Sequence, residues 1–354
     1  VMTVMEGMAQ RVFKAVLDVD IPLPLPRMSY SEAMERFGID RPDTRFGMGL
    51  IDVTDVVRTT DFSVFRNAID AGGVVKCLVA KNAERLTRKI TDGLTEEIKG
   101  IGGGGLPITK VVSQGGGVEF QSGVAKFVKP VLGPLCDAVG AVPGDALFFA
   151  SGTFDDVCKY LNYTRTRLAE ILDVIPEGVW KPLWVVDFPL FVWDHEEQRW
   201  FSSHHPFTAP ADEDVDKLES DPGNVRSKAY DMVLNGIEMG GGSIRIHNRD
   251  VQRRVFKVLG ISEEEAHLKF EHFMEALRFG APPHGGIAFG LDRWVMLLAG
   301  CDSLRDVIAF PKTARAVCPL TGAPSWVDDA QLAELGLEHT PAVKAKREAH
   351  QESP

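Results

Sequence analysis

Three features of the sequence predict an α+β chain of two domains. Asn235-Gly236 stands between two short apolar-rich runs, the strongest short signal for a two-residue type I′ hairpin. Helix-periodic stretches lie on both sides of it, at 2–17, 155–174, 251–259 and 262–279. From about Val53 to Phe154 the composition shifts to β-like pieces and glycine clusters, as expected of an inserted α+β region. A chain of 354 residues with 44% hydrophobic and 25% charged residues can bury a large core and fill two domains.

Each element has a local reason. Met2 to Leu17 reads as a helix, which the series Pro22, Pro24, Pro26 is expected to end. Ser29 is the N-cap of the next helix, with Glu32 completing a capping box, and Arg41-Pro42-Asp43 is a turn. In the insert, Val74–Val79, Thr109–Val112 and the 144–150 run GDALFFA read as strands, and Leu86-Thr87-Arg88-Lys89 is a basic stretch. The cluster GGGGLPITK invites a phosphate-loop reading, which fails because no Lys-Ser or Lys-Thr follows and Pro107 blocks a helix. It and Gly115–Gly117 read as surface loops. Trp184–Pro189 is a strand with a hard stop, Trp193–Phe201 a hairpin, and Asp212–Asp221 an acidic, exposed connector. Glu263–Glu265 fall in the first turn of the 262–279 helix, where its dipole favours them. Gly285–Phe289 is a short strand, followed at Gly290 by a helix with Leu291, Trp294, Val295 and Leu298 on one stripe. The tail beyond Thr340 is polar and expected to fray.

Composition excludes some classes and weakens others. The net charge of −11 gives no sign of nucleic-acid binding, although a local basic patch can act within an acidic chain. Five isolated cysteines without a CxxC pair argue against a disulfide framework and a cysteine zinc site, and fit a reducing cytoplasm. No apolar run approaches the roughly 20 residues of a membrane span, and no signal peptide is visible.

The chemistry is expected around 231–248, DMVLNGIEMGGGSIRIHN. With Asn235-Gly236 as the loop, Leu234 pairs with Ile237, Val233 with Glu238 and Asp231 with Gly240. Asp231 and Glu238 then share a face within about 8 Å between backbones. Carboxylates that close repel unless a proton or cation sits between them, and Mg²⁺ takes oxygen ligands. By strict pleating Arg245 faces away from Glu238; a bulge at Gly240–Gly242 returns it to the same face. An exposed polar face with an ordinary cross-strand ion pair also fits these residues. Arg293, in the first turn of a helix after a glycine-flanked strand, suits a phosphate as well as a surface position. His204 and His205 are adjacent on an extended segment and point to opposite faces, so a zinc pair is disfavoured against one ligand-contacting histidine.

The runs WVVDFPLF, HHPFTAP, AYDMVLNGIEMGGGSIRIHN and HGGIAFGLDRWVMLLAG resemble the catalytic domain of bacterial-type aspartyl-tRNA synthetases, and GIAFGLDR resembles the third motif of class II synthetases. ERLTRK, SGVAKF and GDALFFA resemble that family's insertion domain, and EAMERFGIDRPDTR extends the likeness toward the start. The resemblance implies an antiparallel catalytic sheet flanked by helices, incomplete here and interrupted by an α+β insert. It divides the chain into a first catalytic segment at 1–52, the insert at 53–158, a second catalytic segment at 159–340 and a tail at 341–354. It also implies activation of L-aspartate by ATP and transfer of the aspartyl group to tRNA, by a cytoplasmic homodimer. Carried over residue by residue, His204, His205 and Arg245 would hold aspartate. Glu238 would contact ATP and Mg²⁺ with Asp231 beside it, and Gly290, Leu291, Asp292 and Arg293 would line the ATP site. Glu238 and Arg293 are the expected catalytic pair, acting by positioning and charge neutralisation without a protein nucleophile.

The family's anticodon-binding barrel and first two class motifs are not seen before Val1, and the chain opens as a helix already under way. The expectation is therefore a C-terminal part of the enzyme, inactive by itself. Two alternatives are a truncated, non-catalytic paralogue acting as a binding or regulatory module, and a ligase making an amide from aspartyl-adenylate. Keeping Asp231, Glu238, Arg245 and Arg293 together argues against the first, and the insert against the second. Whether asparagine tRNA is also charged stays open in the sequence.

Overall fold

The computed structural model describes residues 1–115 and 117–351, with the side chains of 348–351 left aside. Its strands are β1 (Arg27–Ser29), β2 (Leu50–Asp52), β3 (Val74–Ala80), β4 (Ile108–Gln114), β5 (Gly117–Gln121), β6 (Ala146–Gly152), β7 (Pro182–Val186), β8 (Phe191–Asp194), β9 (Arg199–Ser202), β10 (Ala229–Leu234), β11 (Ile237–Ile244) and β12 (Gly285–Phe289). The helices are α1 (Met2–Leu17), α2 (Tyr30–Phe37), α3 (Thr54–Val57), α4 (Ser63–Asp70), α5 (Arg88–Gly100), α6 (Ala125–Val128), α7 (Leu132–Val139), α8 (Phe154–Leu172), α9 (Arg249–Val258), α10 (Glu263–Arg278), α11 (Leu291–Leu298), α12 (Asp329–Glu334) and α13 (Pro341–Gln351). Contacts group them into two units, Val1–Gly290 and Leu291–Pro354.

The first unit holds two five-stranded sheets. One has the order β1-β7-β10-β11-β12 and is antiparallel except for β1, which runs parallel to β7. The other has the order β2-β3-β6-β4-β5 and is antiparallel throughout, giving the predicted α+β character of the intervening region. Gly116, one of the clustered glycines, lies outside the described residues. On one face of the first sheet Trp184 is fully buried and its indole N–H donates to Glu6 on α1 at 2.9 Å. The other face packs Leu183, Val185, Phe188, Ala229 and Val233 with Ala33 of α2.

Caps follow the sequence closely. Ser29, Thr153, Asn248 and Ser262 each accept a backbone N–H in the first turn of α2, α8, α9 and α10. The capping box expected here is only half made: Ser29 accepts the Glu32 N–H, while the Glu32 side chain pairs with Arg36 instead of reaching back. Three expectations are corrected. The prolines do not end α1; Asp18 does, in the left-handed region at φ 55°, with its N–H bonded to Lys14. The 212–221 segment is not simply exposed, because Asp214 is 1% exposed and takes Arg226 and Lys217 at 2.7 and 2.8 Å. Those partners hold its carboxyl well below the usual range. The tail forms α13, since its Ala, Lys, Arg and Glu are strong helix formers; residues 352–354 lie outside the described ones. Among the described residues no helix is long and apolar enough to cross a membrane.

In the second unit α11 begins at Leu291, with Asp292 and Arg293 in its first turn. Of its apolar stripe Trp294 is buried whereas Leu291 is 73% exposed; Met296 is its other buried residue.

Candidate active site

The Asn235-Gly236 turn forms as read, with both residues at positive φ (51° and 86°), the signature of type I′. The Asn235 side chain fixes it further, accepting from Lys181 N at 3.0 Å and donating to the Val179 carbonyl at 2.9 Å. Leu234 pairs with Ile237 and Val233 with Glu238, as predicted. Asp231 does not pair with Gly240. It faces Gly241, because the register shifts by one residue and Met239 is left over.

That extra residue is the bulge, placed one step before the glycines expected to hold it. Its carbonyl accepts the N–H of Gly290 at 3.0 Å, so the backbone following β12 stabilises it. The bulge inverts the alternation of β11 and brings Gly241 onto the face of Glu238. A Cβ on Gly241 would lie 2.5 Å from Asp231 Oδ1 and 3.2 Å from Glu238 Oε1. The two carboxylates thus converge over a position where a side chain would collide with them. Continued alternation puts Ser243 and then Arg245 on the same side.

Burial and the neighbouring charges of Glu238 and Asp40 push the Asp231 carboxyl up to about 7. A half-buried carboxylate pair in that condition holds either a proton or a cation. The oxygen donors suit a hard divalent ion, although among the described residues no group of three or more His, Cys, Asp or Glu has metal-holding geometry.

The HHPFTAP segment runs beside the end of β11. Ala209 N–H bonds to Ile244, Ile246 N–H bonds to Phe207, and Thr208 bridges Arg245. The two histidines diverge. His204 stacks edge-on against Phe188 at 4.8 Å and feels the charges of Asp40 and Glu238. Partial burial still outweighs those carboxylates and lowers its pKa. His205 turns toward Phe207 and Arg245; its Nδ1 accepts the Phe207 N–H at 3.2 Å, and burial, then the Arg245 charge, lower its pKa. Asp231, Glu238 and His204 therefore form one group, with Arg245 and His205 a second group at the end of the strand. Asp40 belongs with the first and was missed; it sits in the run FGIDRPD, whose turn alone was legible. Gly290 closes the first unit, and Leu291, Asp292 and Arg293 open the second.

A profile of class II tRNA synthetases (D, K and N) matches residues 1–314, and the chain belongs to that family. Among curated relatives, it is 46% identical over 345 residues to the aspartate–tRNA(Asp/Asn) ligase of Persephonella marina, covering 96% of this chain and 56% of that one. It is 48% identical to the ligase of the same name from Geotalea uraniireducens (96% and 56% covered). Identity reaches 49% to the aspartate–tRNA ligase of Staphylococcus saprophyticus, with 95% and 57% covered. The chain therefore spans little more than half the length of these relatives.

Proposed function

We propose that this chain forms part of an aspartate–tRNA ligase, which activates L-aspartate with ATP to aspartyl-adenylate and transfers the aspartyl group to tRNA. The observation that carries the reading is the convergence of Asp231 and Glu238 over Gly241, with Arg245 just past the end of β11. Family membership and the names of the curated relatives support it. The 53–158 region is an inserted domain in this reading, and the intact enzyme is a homodimer in the cytoplasm.

Arg245 offers a planar fork of donors and takes the side-chain carboxylate of aspartate in two parallel hydrogen bonds. His204 and His205 flank the amino acid, and their lowered pKa values keep the rings neutral at pH 7, as donors and acceptors. Glu238 and Asp231 are the residues that would hold Mg²⁺, which would supply charge neutralisation on the phosphates of ATP. By the likeness to the family's third motif, Gly290, Leu291, Asp292 and Arg293 are assigned to nucleotide binding, for which the Arg293 guanidinium suits the terminal phosphates. The α-carboxylate of aspartate attacks the α-phosphorus, the bond to the bridging oxygen breaks and pyrophosphate leaves. The protein contributes alignment and positive charge, and no side chain becomes covalently bound.

The test is ATP–pyrophosphate exchange by the full-length protein with aspartate, asparagine or lysine supplied singly. Aspartate alone is expected to drive exchange. Exchange driven by lysine or asparagine, or by none of the three, overturns the reading.

A further inference from the structure

Helix α9 carries Arg249, Arg253 and Lys257 at intervals of four residues, a row on one side of the helix with about 6 Å of rise between neighbours. All three line a groove of about 750 Å³ formed mainly by α9 and α10, whose apolar lining includes Phe256, Ile261 and Met274. Arg253 and Lys257 are exposed and Arg249 is half-buried. Most acids of the groove are already engaged. Glu219 is held by Arg254 at 2.6 Å and Glu275 by Arg278 at 3.1 Å, and Glu271 stands 3.3 Å from His267. Glu263 sits in the first turn of α10, where the helix dipole favours it. The three cations of the row make no ion pair among the described residues, and the Arg249 Nε is buried without a hydrogen-bond partner. Like charges four residues apart on a helix repel, so the row costs the fold stability and gives it nothing in return.

The helix that bears the row is fastened to the histidine segment of the site. Gln252, fully buried, donates to the Pro206 carbonyl at 2.8 Å, and Phe256 packs on Phe207 with ring centres 5.9 Å apart. The row begins four residues beyond Arg245 and covers about 12 Å of helix, more than one phosphate group can span. We propose that it binds the phosphate backbone of RNA: successive phosphates of the acceptor tRNA lie along α9 while the 3′ end reaches the aspartyl group. Continuity with the site favours that nucleic acid over an acidic protein. Such contacts supply affinity and placement, not sequence choice. The inference rests on the proposed transfer of aspartate to tRNA.

The test compares the full-length wild type with Arg253→Gln, Lys257→Gln and the double variant. It reads tRNA filter binding over a salt series, aminoacylation, aspartate-dependent pyrophosphate exchange and thermal melts. Each single variant is expected to bind tRNA about threefold more weakly and the double about tenfold, with the slope of log affinity against log salt reduced by about one per lost contact. The kcat/KM for tRNA in aminoacylation should fall in step. Exchange, which needs no tRNA, and the melting temperature should stay at the wild-type level. Arg11→Gln removes an exposed charge on α1 and controls for net charge alone. An unchanged salt slope in the double variant overturns the inference, as does an equal weakening by Arg11→Gln or a loss of exchange equal to the loss of aminoacylation. Lost binding of inorganic triphosphate with tRNA binding intact also overturns it, because the groove then takes a small anion. A wild type that neither exchanges with aspartate nor binds tRNA defeats the functional reading and this inference with it; an active wild type with unaffected variants defeats only the inference.

Discussion

The two sheets of the first unit bury their faces to different ends. In the second sheet, alternate residues of β3 and β6 enter separate apolar clusters. Cys77, Val79, Leu147 and Phe149 lie on one side, and Leu78, Ala80, Phe148 and Ala150 on the other. Both faces are closed, so nearly every side chain works for stability. The first sheet is closed by apolar contacts only in part, around Val185, Phe188 and Val233. Where β10 meets β11 the same face carries Asp231 and Glu238 over a glycine. A sheet that spends part of a buried face on two like charges gives up stability for a binding surface.

Four substitutions would break or sharpen that contrast. Phe149→Ala, in the closed sheet, should cost about 3–5 kcal/mol in urea unfolding, since a fully buried ring leaves a cavity. Glu238→Gln should do the opposite, leaving unfolding nearly unchanged while aspartate-dependent exchange falls about a hundredfold, as for other lost transition-state electrostatics. An equal loss of stability in both would erase the distinction.

Asp231 gives the pH-dependent version. Its folded pKa of about 7 lies above the unfolded value near 4. The folded state therefore holds the extra proton, and in metal-free buffer stability is full below about pH 4 and falls by about 4 kcal/mol as pH rises through 7. Asp231→Asn should flatten that slope, and millimolar Mg²⁺ should reduce it in the wild type. The smallest effect belongs to the helix beside the site. Ser29→Ala removes the cap on Glu32 N–H at 3.1 Å and should cost about 1 kcal/mol in thermal unfolding, with exchange little changed.

What could be read in the residues was local. The Asn-Gly turn, the Ser29 cap and the β8–β9 hairpin depend on neighbours in sequence, and all appear where expected. The bulge was anticipated but misplaced, because its position is settled by a hydrogen bond from Gly290, some fifty residues on. Asp40 went unread for the same reason, since its loop meets the hairpin and α8 through residues distant in sequence, at Asp43 against Gly236 and under Arg165. Asp214 looked like one more acid in an exposed run until Arg226 and Lys217 came to it from two sides. The family's motif residues were legible from resemblance; the groups that hold them were not.

The hairpin turn also acts as a chemical clock. Asn-Gly is the dipeptide most prone to succinimide formation, in which the glycine nitrogen attacks the asparagine side-chain carbonyl and ammonia is lost. In the folded chain both ends of the Asn235 amide are engaged, by Val179 and Lys181, and the positive φ of Gly236 fixes the backbone around the attacking nitrogen. Each excursion to the unfolded state removes that protection. An isoaspartate at 235 would add a backbone atom to a two-residue loop, moving Asp231 and Glu238 out of register, so the site's working life is tied to how seldom this strand pair opens.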